Sequence, residues 1–129
     1  MRLINLKAAW EIVDADAPSA PVRVTLPLDW PALPWPDGHA PARALLVRRF
    51  GRPPIGASAP TLRLRLGGFA GVMATELNGS PIPRREDGDV LVVGPVELLE
   101  RNTLTVAVDV ALASVAPGPW GVEASLECG

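Results

Sequence analysis

Proline and glycine interrupt this sequence so often that long helices have no room in it. Fifteen prolines and twelve glycines are spread over 129 residues, mostly between apolar runs. An interior proline removes a helical hydrogen bond and clashes with the turn before it, and glycine weakens a helix by about 1 kcal/mol relative to alanine. Helical periodicity does not persist for three clean turns. Short runs of alternating polarity recur instead, which is the pattern of strands with one buried face. The expectation is an all-β chain, a sandwich or barrel in one domain over residues 1–129.

The clearest strand is "TLRLRLGG", where Leu62, Leu64 and Leu66 alternate with Thr61, Arg63 and Arg65. Side chains on a strand point to opposite faces in turn, so one face is apolar and the other carries arginine. "TLTVAVDVAL" repeats the pattern through Leu104, Val106, Val108 and Val110. "PVRVTLP" places Val22, Val24 and Leu26 together, and "WGVEASLE" sets Val122, Ala124 and Leu126 against Glu123, Ser125 and Glu127. "ALLVRRF" and "DVLVVG" are apolar nearly throughout and are expected mid-sheet. "LINLKAAWEIV" reads as one strand with Leu6, Ala8, Trp10 and Ile12 inward.

Asn78-Gly79 lies between two such runs. This pair is the strongest short hairpin signal, because both central positions of a type I′ turn need positive φ. Met73, Thr75 and Leu77 are expected inward before the turn. Pro81 and Pro83 follow it, so the outgoing strand is short or at an edge. "GGFAG", Gly67 to Gly71, precedes a strand rather than a helix and therefore reads as a tight connection, not a dinucleotide loop.

Composition removes several classes of function. Hydrophobic residues make up 48% and charged residues 20%, a globular balance. The formal net charge is −2 and the basic residues are scattered, so no nucleic-acid footprint is present. No apolar run approaches the roughly 20 residues of a membrane-spanning helix. The N-terminus is polar too early for a secretion signal, which points to the cytoplasm. The lone Cys128 near the C-terminus cannot form an intrachain disulfide and is expected as an exposed thiol.

The order of the strands carries a resemblance. "VRVTLPLDW" supplies Pro27 and Trp30, and "ALLVRRFGRPP" supplies Arg48, Arg49, Phe50 and Pro53. Then come Leu77, Asn78 and Gly79 before the turn, and Asn102, Leu104, Val106 and Val108 in "ERNTLTVAVDV". Together these resemble the N-terminal sugar-binding domain of family-two glycoside hydrolases, the β-galactosidase and β-glucuronidase group. The resemblance covers roughly residues 3 to 127. It implies a galactose-binding-like jelly-roll β-sandwich of about eight or nine strands. Leu46-Val47 and Glu76 stand where that family usually carries aromatics, and the catalytic barrel is absent from these residues.

Candidate binding residues fall in two places. The long loop Leu28–Ala42 carries Trp30, Trp35 and the only histidine, His39. Arg84, Arg85, Glu86 and Asp87 follow the hairpin. Indole rings stack on the apolar faces of sugars, and Arg and Asp bond their hydroxyls. Trp30, Trp35, His39, Arg84, Arg85 and Asp87 are therefore the expected carbohydrate contacts. The competing reading gives Trp10, Trp30 and Trp120 to the core and leaves Trp35 and His39 to pin the loop. No enzyme is expected, because nothing in the spacing pairs two carboxylates and His39 lacks triad partners. No cofactor is expected either. The acidic turn Glu86–Asp89 has the chemistry for a structural Ca²⁺, although such turns are more often only solvated. The expected partner is a carbohydrate or, if the sugar site is lost, another protein, for which the arginine face of Arg63 and Arg65 is a candidate.

Overall fold

The computed structural model describes residues 2–16, 20–35, 38, 40–54 and 62–128. Among these it contains eleven strands and one short helix. In chain order they are β1 (Arg2–Asn5), β2 (Trp10–Asp14), β3 (Val22–Val24), β4 (Arg43–Gly51), β5 (Leu62–Gly67), β6 (Val72–Leu77), β7 (Ser80–Pro81), β8 (Arg84–Asp87), β9 (Val90–Val96), β10 (Arg101–Asp109), α1 (Val110–Val115) and β11 (Glu123–Cys128). They form a sandwich of two antiparallel sheets. One runs β1-β11-β5-β9-β8 and the other β3-β2-β4-β10-β6-β7. No helix among the described residues is long and apolar enough to cross a membrane.

Register turns the alternation into a core. Leu64 lies opposite Leu126 on one side and Val93 on the other. Across the facing sheet, Ile12, Leu46, Val106 and Thr75 form one row. These side chains are buried, and each fully buried aliphatic contributes about 1.5–3 kcal/mol. The two nearly continuous apolar runs occupy interior strands, β4 between β2 and β10, and β9 between β5 and β8. Thr61, expected on the outer face of β5, lies outside the described residues.

Several expectations are corrected. The strand count exceeds eight or nine because β7 and β8 are separate short strands of two and four residues. The first apolar run is not one strand. It leaves one sheet after Asn5, whose side chain accepts from the Lys7 N–H, passes Ala9 at φ 62°, and enters the other sheet at Trp10. Ala8 is consequently exposed, while Leu6, Trp10 and Ile12 are buried. Both sheets share one interior, so the apolar pattern continues smoothly through a change of sheet. Met73 points outward, because a register irregularity between Ala107 and Val108 brings Val72 opposite Val108 and reverses the expected side. Val122 precedes β11 rather than belonging to it and is exposed. The strand through Val108 stops at Asp109, whose carboxylate caps α1 through the Leu112 N–H, so Val110 is buried from a helix. Cys128 is buried, paired between Arg2 and Leu62 and following Ala124 and Leu126 on the inward side.

Candidate functional site

The expected contact residues separate into two groups. Arg84–Asp87 forms the edge strand β8, and all four residues are exposed. Arg84 lies opposite Val93 on the inner side of that edge, and its guanidinium donates to the Met73 carbonyl of the other sheet at 3.1 Å. Its cation therefore helps close the open side of the sandwich. Arg85 and Asp87 lie opposite Val92 and Val90 and share the outer face, whereas Glu86 alternates to the opposite side. The acidic stretch from Glu86 is thus a strand end followed by a turn, with its first two carboxylates on opposite faces. Among the described residues no group of three or more acidic, His or Cys side chains is gathered in a way that could hold a metal ion.

Trp30 opens a 3₁₀ turn, Trp30–Ala32, and is only 3% exposed. Its ring meets Trp120 edge-on at 5.1 Å and stacks with Trp35 at 6.4 Å. Trp120 packs on Phe69 at 4.5 Å, and Phe69 on Trp10 at 6.1 Å. All four tryptophans therefore belong to one chain of ring contacts reaching into the core, with Trp35 half-buried at its end. Among the described residues, the indole N–H groups of Trp30 and Trp35 have no hydrogen-bond partner. His39 lies outside the described residues. Among the described residues, no hydrogen bond, ion pair or ring contact joins Trp30 and Trp35 to β8.

A cleft of about 510 Å³ opens where the aromatic chain approaches the end of the sandwich. Three segments wall it: Gly68–Ala70 between β5 and β6, Glu86 with Gly88–Leu91 in the β8–β9 hairpin, and Ala116–Trp120 with Val122 between α1 and β11. Backbone hydrogen bonds hold the walls together, from Gly68 N–H to Asp89 O at 3.0 Å and from Gly121 N–H to Gly68 O at 2.9 Å. Trp120 donates its indole N–H to the Ala70 carbonyl at 2.9 Å, fixing one wall to the aromatic floor. Gly71 ends the first segment at φ 81°, and a Cβ there would lie 2.7 Å from the Asp109 carbonyl. The tight connection expected of "GGFAG" thus has a steric cause. Pro117 and Pro119 stiffen the third wall around Gly118.

Among the described residues, the charged side chains lining the cleft are Glu86 and Asp89, and no basic residue lines it. The two perturbed arginines lie elsewhere. The Asp16 carboxylate, bonded to Arg43, raises that guanidinium above its ordinary value. Burial lowers that of Arg48, which stands on the inner side of β4 between Trp10 and Leu104; its Nη1 donates to the Arg49 carbonyl, and its Nε has no partner among the described residues. On the outer face of the other sheet, Arg65 is paired with Glu123 at 3.2 Å and Glu127 at 3.7 Å. That arginine face therefore carries its own counter-ions.

Of the expected carbohydrate contacts among the described residues, none lines this cleft, although Glu86 and Asp89 of the neighbouring acidic stretch do. The sequence signals that could have pointed to it were "APGPW" and Asp89, a rigid turn beside an aromatic and an acid that follows a hairpin glycine. Neither has a periodicity that reveals what it faces.

No family model matches the chain, and no curated protein does. Among solved structures, it is similar to the crystal structure of an FMN-binding β-glucuronidase from Facaelibacterium prausnitzii L2-6, with a TM-score of 0.66 and 16% identity. The match covers 97% of this chain and 22% of that chain. The chain spans about one fifth of that enzyme's length, and the likeness is one of fold: this β-sandwich resembles a domain of a β-glucuronidase.

Proposed function

We propose that the chain is a non-catalytic carbohydrate-recognition module that takes its ligand in the end cleft. We read its sandwich as galactose-binding-like, of jelly-roll type. The observation that carries this reading is the cleft itself, a concave site lined by Val90, Leu91 and Val122 over the buried Phe69 and Trp120 rings, with Glu86 and Asp89 as its charged groups. Apolar surface beneath a few polar groups suits a sugar, which has an apolar face and a hydroxyl rim. Glycoside hydrolysis needs two carboxyl groups in contrasting environments, one kept protonated. Glu86 and Asp89 belong to one hairpin and are both exposed, which favours binding over catalysis.

A second reading has its own support. Trp10, Trp30 and Trp120 are spent on packing, and only Trp35 is left half-buried. A sandwich that kept the fold and lost its sugar site would serve as a protein-interaction module. Backbone amide NMR of the labelled protein, titrated with a panel of mono- and oligosaccharides, separates the two. Saturable shifts concentrated at residues 68–70, 86–91 and 116–122 are the expected result. A flat response across the panel would remove the carbohydrate reading.

A further inference from the structure

We infer that the cleft selects uncharged or amine-bearing saccharides and rejects uronates. The inference rests on the carbohydrate reading above and adds the charge of the ligand. Both charged side chains lining the cleft are acidic, Glu86 on one flank of the hairpin and Asp89 at its turn. Of the nearest arginines in sequence, Arg84 shares the face of Glu86 but neither it nor Arg85 lines the cleft. Arg84 is engaged with the Met73 carbonyl, and Arg85 lies on the outer face opposite Val92. A carboxylate-bearing sugar would thus enter a site whose lining, among the described residues, holds two like charges and no cation. Unpaired like charges cost binding, while an ammonium group near the same oxygens gains charge-assisted hydrogen bonds. The glycine-rich walls add no compensating positive side chain. Their backbone N–H groups at Gly68 and Gly121 are already bonded to Asp89 and Gly68 carbonyls.

The test is calorimetric titration at low salt with three oligosaccharides of equal length, built from glucose, glucosamine and glucuronate. They are run against the unaltered protein and against the Glu86→Gln, Asp89→Asn double variant. Both positions are exposed, so the variant should fold, and a melting curve checks it. The expected result is binding of the neutral and amine-bearing sugars, with the glucuronate oligomer weaker by about tenfold or more, equal to about 1.4 kcal/mol. In the double variant the amine-to-uronate ratio should collapse toward one, and added salt should shrink the ratio in the unaltered protein. Equal affinity for all three sugars, or a ratio that survives in the variant, overturns charge selection and leaves the carbohydrate reading standing. Binding of none of the three, or of any other saccharide in the wider panel, overturns both.

Discussion

Asn78 and Asn102 show how far single side chains decide this fold. Asn78 takes φ 53° in the hairpin turn, accepts from the Thr103 N–H at 2.8 Å and donates to the side-chain Oδ1 of Asn102 at 3.1 Å. Asn102 is buried; it accepts from the Leu99 N–H and donates to the Leu99 carbonyl. The pair ties the turn to the start of β10, so these residues serve the scaffold. Replacing Asn102 with Ala should cost about 1–3 kcal/mol, because buried partners lose their bonds; urea denaturation measures it. Glycines can be ranked in the same way. Gly79 has φ 84° with open space around it, so Gly79→Ala should cost about 1–2 kcal/mol for the left-handed backbone alone. Gly71→Ala should cost clearly more, since its Cβ would also press on the Asp109 carbonyl. Arg48→Met should leave stability unchanged or raise it by up to about 1 kcal/mol, since the partly desolvated charge it removes has one hydrogen bond, to the Arg49 carbonyl, and an Nε with no partner among the described residues. Guanidinium stays protonated across ordinary pH. Burial lowers the folded-state value, so the penalty would fade only in strongly alkaline solution. The gain should therefore be equal in mildly acidic and mildly alkaline buffer.

At the scale of elements, β8 is an edge strand made entirely of charge. Edge strands expose unpaired backbone groups, and charged side chains discourage pairing with another molecule. Arg84 adds a link across the open side to β6. Replacing Arg84 and Arg85 together with Val should increase self-association, read by light scattering against concentration. An unchanged monomer fraction would mean that the hairpin geometry alone protects the edge. β8 illustrates what was hard to read beforehand. "RRED" has no apolar position, so nothing in it announces a strand, and its place follows from pairing with β9. By contrast, β5 was legible because Leu62, Leu64 and Leu66 leave no other face to bury. Met73 faces outward against its alternation because a bulge changes parity without a mark in the sequence.

For the whole molecule, the decisive contact joins the ends. Arg2 pairs with Cys128, so β1 covers β11 across the full length of the chain. Removing residues 1–5 should cost about 2 kcal/mol or more, through the lost pairing and the half-buried Ile4. It should also leave β11 as an open edge. A deletion variant with unchanged stability would show that β1 is only an appendage. Pairing of this range also makes folding slow, in milliseconds to seconds, because distant segments must meet before they are stabilised.

The sequence by itself determined the all-β class, the inner faces of β5 and β10, the Asn78-Gly79 turn and the burial of Trp10 and Trp120. Each follows from local rules: proline and glycine exclude long helices, alternation assigns faces, and positive φ selects Asn-Gly. Only tertiary structure decided the change of sheet after Asn5, the outward Met73, the buried Cys128 and the cleft at Glu86, Asp89 and Trp120. Those depend on which distant segments become neighbours. A cleft is the space left between three connections far apart in the chain, and no local pattern encodes a space.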